Sequence, residues 1–484
     1  MKTWRKVVAT SLMSVLAVGT LAGCGSLSGE KKSSKDDKDS PTLLMYQIGD
    51  KPKNYEALIE VANKRIEEKI NAKVNIQYIG WGDYEQKMSV IVSSGENYDI
   101  ALAKNFVANA QKGAYADLTD LLPKYAKEAY DDLDESYIKG NSVDGKMYAL
   151  PVNANIFSQQ MLTFNKQYLD KYDLDISKVN SYADIAPLLK TIKEKEPNVM
   201  PMAAGQGFRA EVGLDFPLAN GLPFAIDVDG DATKIINPFS SDKMMAAYES
   251  LHDYYQAGYI AKDAATSNTE YPLNTGSWFV RQETQGPFDY GDTALTTAAG
   301  QALVSRAITP ALKTTQAAQM ASFVVSSGSK NTEKAVEFLG LLNSDPELLN
   351  GLVLGIEGEA WEKVGDNRSK LLDGYKPDMH MSAWNTANNK VLYVDESISD
   401  KQIKERDDAI AAAKESPILG FVFDTKDVKN EISNLNNVMS QYLDGLNTGT
   451  LDPKKAVPEM NDKLEKAGLA KVTKEMQKQY DAFR

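Results

Sequence analysis

The chain has 484 residues, 43% of them hydrophobic and 25% charged, with a formal charge of −13 at pH 7. That length exceeds what a single hydrophobic core serves, so two domains are expected, and the acidic balance argues against a nucleic-acid binder, whose phosphate partner demands basic surface. A single cysteine, Cys24, permits no internal disulfide, and two histidines, His252 and His380, leave few ways to build a histidine-dependent catalytic centre.

At the start of the chain, Lys2, Arg5 and Lys6 precede an apolar run from Val7 to Leu21, then Ala22, Gly23 and Cys24. A positive segment, a short apolar segment and small residues in that order read as a secretory signal. The run falls short of the ~20 residues that a bilayer-spanning helix needs. Leu21 to Cys24 resembles the lipobox of bacterial lipoproteins, which implies that residues 1–23 are removed and that Cys24 becomes the acylated first residue. Acyl chains contribute ~0.8 kcal/mol of membrane affinity per buried methylene, so a membrane anchor at Cys24 is expected. Residues 24–40 are rich in Ser, Lys and Asp and nearly free of apolar side chains, the composition of a flexible tether.

Thr42 to Ile48 is an apolar run suited to a buried strand. Asn54 to Ile70 then sets Leu58, Ile59, Ala62, Ile66 and Ile70 on one helical face. Val74, Ile76 and Tyr78 alternate with polar neighbours as in a strand, Asp83 to Ser93 returns to helix, and Tyr98 to Ala103 is again strand-like. This β-α-β-α-β order implies a parallel sheet. Ligands of such sheets bind beyond the carboxyl ends of the strands, which directs attention to Gln47–Asp50, Gly80–Asp83 and Lys104–Phe106.

Gly145 to Ile156 (GKMYALPVNANI) contains Pro151, and proline in a strand marks an edge or a crossing, so this stretch is expected to be a first hinge. Gln160 to Asn165 follows as a new strand. Helical patterns cover Tyr182–Lys195 and Asp242–Gly258, with a Gly/Pro/Phe-rich stretch from Gly205 to Phe224 between them. Phe323 to Val325 reads as a strand, Asn331 or Thr332 as the cap of the next helix, and Pro346 as the first turn of another. The last hundred residues are mostly helical.

Several of these segments resemble family 1 extracellular solute-binding proteins, the capture subunits of ABC importers. They are IVSSGENYDIALA at Ile91–Ala103, GKMYALPVNANIFSQQMLTFN at Gly145–Asn165 and VVSSGSKNTEKAVEFLGLLNSDP at Val325 to Pro346. GLVLGIEGEAWEKVGDNR at Gly351–Arg368 and the tail from Ser416 are similar to the LipO- and YtcQ-like lipoprotein subgroup. The resemblance implies an α/β, two-lobed periplasmic-binding-protein-like fold with hinge-crossing strands and a helical C-terminal region. It implies residues 41–150 plus 323–363 in one lobe and 151–322 plus 364–484 in the other. It also implies a monomer that binds a small solute, with an oligosaccharide favoured, at the extracellular face of the membrane and passes it to ABC permease subunits, without a cofactor.

A sugar offers hydroxyls that want hydrogen bonds and C–H faces that want aromatic platforms. Trp278, Trp384 and Trp361 lie in polar or small-residue settings, and Trp81 follows a strand, so these four are the candidate platforms, with core packing as the alternative for each. Asn153 and Asn155 in the hinge, and Tyr46 and Asn105 near strand ends, are candidate hydrogen-bond partners. Arg281 and Arg209 are candidates for reading an acidic sugar, with an ordinary ion pair the default for each. Asp227, Asp229 and Asp231 surround Gly230, but Ala232 and Pro238 stand where an EF-hand calcium loop wants glycine and glutamate, so an acidic turn is expected, with a metal site of another kind as the lesser alternative. A carbohydrate hydrolase and a surface adhesin are the competing classes. No nucleophile, zinc or phosphate-loop motif supports catalysis, although two carboxylates across a cleft would suffice for glycoside hydrolysis.

Overall fold

A computed structural model describes residues 40–484 apart from Ala219, Asn268 and Glu270. The signal, Cys24 and most of the tether lie outside the described residues. The chain opens with β1 (Thr42–Ile48), α1 (Tyr55–Ile70), β2 (Lys73–Ile79), α2 (Tyr84–Ser94) and β3 (Ile100–Leu102). β1 pairs in parallel with both β2 and β3, as the alternating order requires. Leu58, Ala62 and Ile66 turn inward from α1, which stops where Asn71 takes a left-handed conformation and its N–H bonds the Glu67 carbonyl.

β4 (Ala149–Pro151) lies at the edge of this sheet, the position a proline tolerates because it has no N–H to donate to a further strand. The chain then crosses to a second sheet built from β5 (Gln159–Asn165), β6 (Met200–Ala203), β7 (Trp278–Gln285) and β8 (Leu303–Ala307), in the order β8-β5-β7-β6. Between β6 and β7, helix α3 (Asp242–Gln256) starts under a Ser241 cap and buries Met244, Tyr248 and Leu251. The chain returns through β9 (Ser322–Val325), which completes the first sheet in the order β2-β1-β3-β9-β4. α4 (Thr332–Ser344) and α5 (Pro346–Leu354) follow, and the tail ends in α6 (Asp400–Ala412), α7 (Lys429–Met439), α8 (Pro453–Ala467) and α9 (Leu469–Phe483).

Each sheet has its own core. Leu43, Met45, Ile100, Phe323, Phe338 and Leu349 are buried in the first; Leu162, Phe164, Met202, Phe224, Leu251 and Phe279 in the second. Met460 and Leu464 of α8, with Val472, Met476 and Tyr480 of α9, complete the second core at the three- and four-residue spacing of amphipathic helices. The fold is therefore α/β and two-lobed.

The tail departs from the expected partition. Residues 364–398 were expected in the second lobe, yet Met381 and Ala387 are buried in the first core. The reason is a set of backbone anchors: Met381 N donates to Leu352 O at 2.9 Å, and Tyr393 N donates to the buried Asn350 Oδ1 at 2.8 Å. The crossings share a small apolar cluster of Tyr137, Ile156, Phe157 and Ala318, flanked by the Lys313–Asp134 ion pair at 2.7 Å and the Lys139–Glu415 pair at 2.7 Å. Among the described residues no helix is long and apolar enough to cross a membrane.

Candidate functional site

Two walls line the space beyond the hinge. The first is built where β1 and β2 end. Gly49 takes φ +123°, a backbone conformation open to glycine, and the Trp81 ring packs against it in ordinary van der Waals contact. Trp81 and Trp384 are 51% and 37% exposed, and their rings stack with centroids 5.8 Å apart at 19°. Two large apolar rings are thus kept at the surface and held by one another, an arrangement that presents a flat apolar face to solvent. Beside them a cavity of about 410 Å³ is bordered by Gln47, Asp50, Tyr78, His380 and Asn385. Gln47 Nε2 donates to Asn385 O at 2.8 Å, while Gln47 Oε1, the Tyr78 hydroxyl and His380 Nε2 are buried without a partner. Burial lowers the pKa of His380, so its imidazole favours the neutral form.

The second wall is formed by the second lobe and the two central crossings. The return crossing enters the first sheet at Ser322, whose carbonyl accepts from Ala103 N at 2.7 Å, just past the carboxyl end of β3. The hinge therefore meets the first lobe at the end where the loops after β1, β2 and β3 converge. Gln160, Glu211, Asp215, Asn220 and Thr284 enclose a cavity of about 260 Å³ against Thr309, Gln316 and Met320. Gln282 Nε2 donates to Gln160 Oε1 at 3.1 Å, and Gln160 Nε2 donates to Thr284 Oγ1 at 3.0 Å, so the strand side chains are oriented before any ligand arrives. Burial, reinforced by the nearby Asp215, pushes the Glu211 carboxyl up to about 7 against the hydrogen bond it accepts from Asn220. Asp215 is likewise raised by burial, offset by the Ser416 hydroxyl and the Phe216 N–H.

The expected site residues divide. Trp81 and Trp384 come together. Asn105 is exposed at the end of β3 in a left-handed conformation, with Nδ2 3.4 Å from Glu85 Oε1. Trp278 is fully buried: its Nε1 donates to Pro272 O at 2.9 Å and its ring packs with Ala299 and Leu303, so it is a core residue. Trp361 is also core, donating to Gly355 O at 2.8 Å and packing on Tyr393. Asn153 is buried and donates to Asp132 O at 3.1 Å, the structural role of a hinge amide. Asn155 packs so closely on Gly286 that a Cβ there would collide with its amide oxygen. The Tyr46 hydroxyl is directed to Glu96 at 3.3 Å, ahead of β3 and away from the strand ends. Arg281 pairs with Glu283, and Arg209 with Asp444 at 2.8 Å, so neither guanidinium is free for an acidic sugar.

Lys243 Nζ lies 2.6 Å from Asp227 Oδ1 and 3.7 Å from Asp229 Oδ2, so a lysine supplies the counter-charge in the acidic turn. Among the described residues no group of three or more His, Cys, Asp or Glu is placed to hold a metal ion. Gln47 lies in the expected Gln47–Asp50 segment, whereas Tyr78, Glu211, Asp215 and Asn220 were not among the expected residues. The one local signal for Glu211 and Asp215 was an acidic pair within a Gly/Pro/Phe-rich stretch.

Two lobes joined by crossing strands, with an aromatic platform and polar cavities beside the hinge, define a binding protein that holds a solute between domains. Residues 61–352 match the bacterial extracellular solute-binding proteins, and the chain belongs to that family. Residues 417–484 match a domain of unknown function, DUF3502. Over 486 residues the chain is 52% identical to a carbohydrate ABC transporter substrate-binding protein of Streptococcus pneumoniae serotype 4, covering 100% of this chain and 99% of that one. It is 24% identical to lipoprotein LipO of Bacillus subtilis over 276 residues, 52% of this chain and 51% of LipO. Among solved structures it is similar to the N-glycan transport solute binding protein NgtS of Streptococcus pneumoniae, at 53% identity over 92% of this chain and 99% of that chain, with a TM-score of 0.90. The TM-score is 0.83 for NgtS in complex with Man1GlcNAc and 0.79 for NgtS in complex with Man5GlcNAc, at 53% identity over 92% of this chain and 99% and 98% of those chains.

Proposed function

We propose that this protein is the capture subunit of an ABC importer, anchored by lipid on Cys24 at the extracellular face of the membrane, and that its lobes close on an oligosaccharide of mannose and N-acetylglucosamine type. The observation that carries this reading is the exposed Trp81–Trp384 stack beside polar cavities. Apolar sugar faces lie on such rings while hydroxyls find amides and carboxylates nearby. The 53% identity to NgtS, solved with Man1GlcNAc and Man5GlcNAc, supports the ligand class. The fall in TM-score across the three NgtS structures, at nearly constant coverage, supports a hinge motion linked to ligand.

On this reading the ligand stabilises the closed state in proportion to the contacts it makes with both lobes and leaves chemically unaltered. The test is a titration of the purified protein with Man5GlcNAc, followed by tryptophan fluorescence and calorimetry, with the recovered sugar analysed for new reducing ends. Saturable binding and an intact sugar are expected. Cleaved glycan, or failure of every neutral oligosaccharide in a panel to bind, would overturn the assignment.

A further inference from the structure

The second-lobe cavity differs in chemistry from the aromatic platform. Asp215 is 8% exposed; its Oδ1 accepts from Phe216 N at 2.8 Å, and its Oδ2 is buried without a hydrogen-bond partner, on a residue that lines the cavity. The Ser416 hydroxyl only partly offsets the burial of this carboxyl, whose Oδ2 keeps acceptor capacity that a ligand O–H or N–H can use. Glu211 lines the same cavity, oriented by the Asn220 amide, and its backbone N–H donates to Tyr182 Oη at 3.0 Å. Asp215 and Asn220 also border an adjoining cavity of about 390 Å³ that extends to Gln319, Met320 and Ile418. Neither lining includes a lysine, arginine or histidine. Arg209 and Arg281 are both committed to carboxylates.

Above about pH 7, where Glu211 is ionised, a carboxylate of the ligand brought into this wall would meet like charge with no cation to offset it, whereas sugar O–H and N–H groups would meet acceptors. We propose that Glu211 and Asp215, with Asn220, form an acceptor subsite on the second lobe that takes the O–H and N–H donors of a neutral sugar and excludes glycans carrying carboxylates. The assignment rests on the oligosaccharide reading and narrows it to uncharged ligands. It also divides the work of binding between the lobes, since the first supplies apolar surface through Trp81 and Trp384 and the second supplies acceptors.

The test is calorimetry at pH 8, where Glu211 is ionised, with Man5GlcNAc and with the same glycan after oxidation of its primary alcohols to carboxylates. The wild-type protein is expected to bind the oxidised glycan at least about tenfold more weakly than the neutral one, the scale of one unfavourable buried charge contact. Glu211→Gln with Asp215→Asn, checked for an unchanged fold by circular dichroism, is expected to weaken neutral binding and narrow that ratio. Gln316→Lys, at an exposed position on the cavity wall, tests the same idea without disturbing the interior and is expected to recover binding of the oxidised glycan. Trp81→Ala is expected to weaken both glycans alike and leave the ratio unchanged. Equal affinity of the wild type for the two glycans, or a ratio unmoved by both carboxylate and Gln316 substitutions, overturns the subsite while the sugar reading stands. Absence of binding by either glycan to the wild type overturns both.

Discussion

Glu211 has its carboxyl raised to about 7 from an ordinary value of 4.5, chiefly by burial. The folded state therefore holds a proton that the unfolded chain has already lost between those two values. The stability of the protonated form is complete below about 4.5, declines as pH rises and is fully lost above about 7, for at most ~3 kcal/mol. Glu211→Gln removes the ionisation and so is expected to raise the melting temperature relative to wild type at pH 8, with no gain at pH 4. Scanning calorimetry at the two pH values checks this, and an equal shift at both would show that Glu211 ionises freely in the fold. Such a carboxylate, stabilising only when neutral, is a cost to the empty protein, and costs of this kind collect at binding sites.

At the scale of elements, the strands of the first sheet and the amphipathic helices that were read formed where their patterns put them because those patterns are local. β1 covers Thr42–Ile48, with Leu43 and Met45 facing the core at a spacing of two, and α9 buries Leu469, Val472, Met476 and Tyr480 at spacings of three and four. Pro151 marked the crossing because proline cannot extend a sheet beyond an edge. The tail was harder to divide, since an apolar stretch such as that around Met381 does not name the core it joins. Gly449 illustrates how tightly elements are joined in the second lobe. It takes φ +74°, a Cβ there would run into the Leu251 carbonyl of α3, and the His252 ring N–H donates to its carbonyl at 2.7 Å. Gly449→Ala is expected to destabilise by ~2 kcal/mol or more, combining a left-handed backbone with a clash against a helix. Gly351→Ala, in the middle of α5 with nothing within 4 Å of the added methyl, is expected to stabilise by ~0.5–1 kcal/mol. Urea unfolding of the two variants checks the contrast, and similar midpoints would remove the packing argument.

At the scale of the whole molecule, interleaved lobes turn several crossings into one hinge rather than a loose linker. The crossings are held together by the Tyr137, Ile156, Phe157 and Ala318 cluster and its flanking ion pairs. Closure would bring the aromatic wall toward the acceptor wall, and only a ligand touching both gains from it. Small-angle scattering is expected to show a smaller radius of gyration on saturation with Man5GlcNAc. Tight binding with no compaction would leave the hinge without a role in capture.

The sequence by itself determined the strands of the first sheet, several of the amphipathic helices, the need for two cores and the resemblance to solute-binding proteins, because periodicity, proline placement and short segments act through neighbours along the chain. By contrast, β6, β7 and β8 of the second sheet were not legible in it. Tertiary structure alone decided which tryptophans face solvent and which carboxylates are buried. Trp278 and Trp384 both stand among small and polar residues, yet one is enclosed by Tyr271, Leu273, Ala299 and Leu303 while the other lies exposed against Trp81. Exposure is set by residues distant in the chain, and so is the pKa of a carboxyl whose solvent has been replaced by protein.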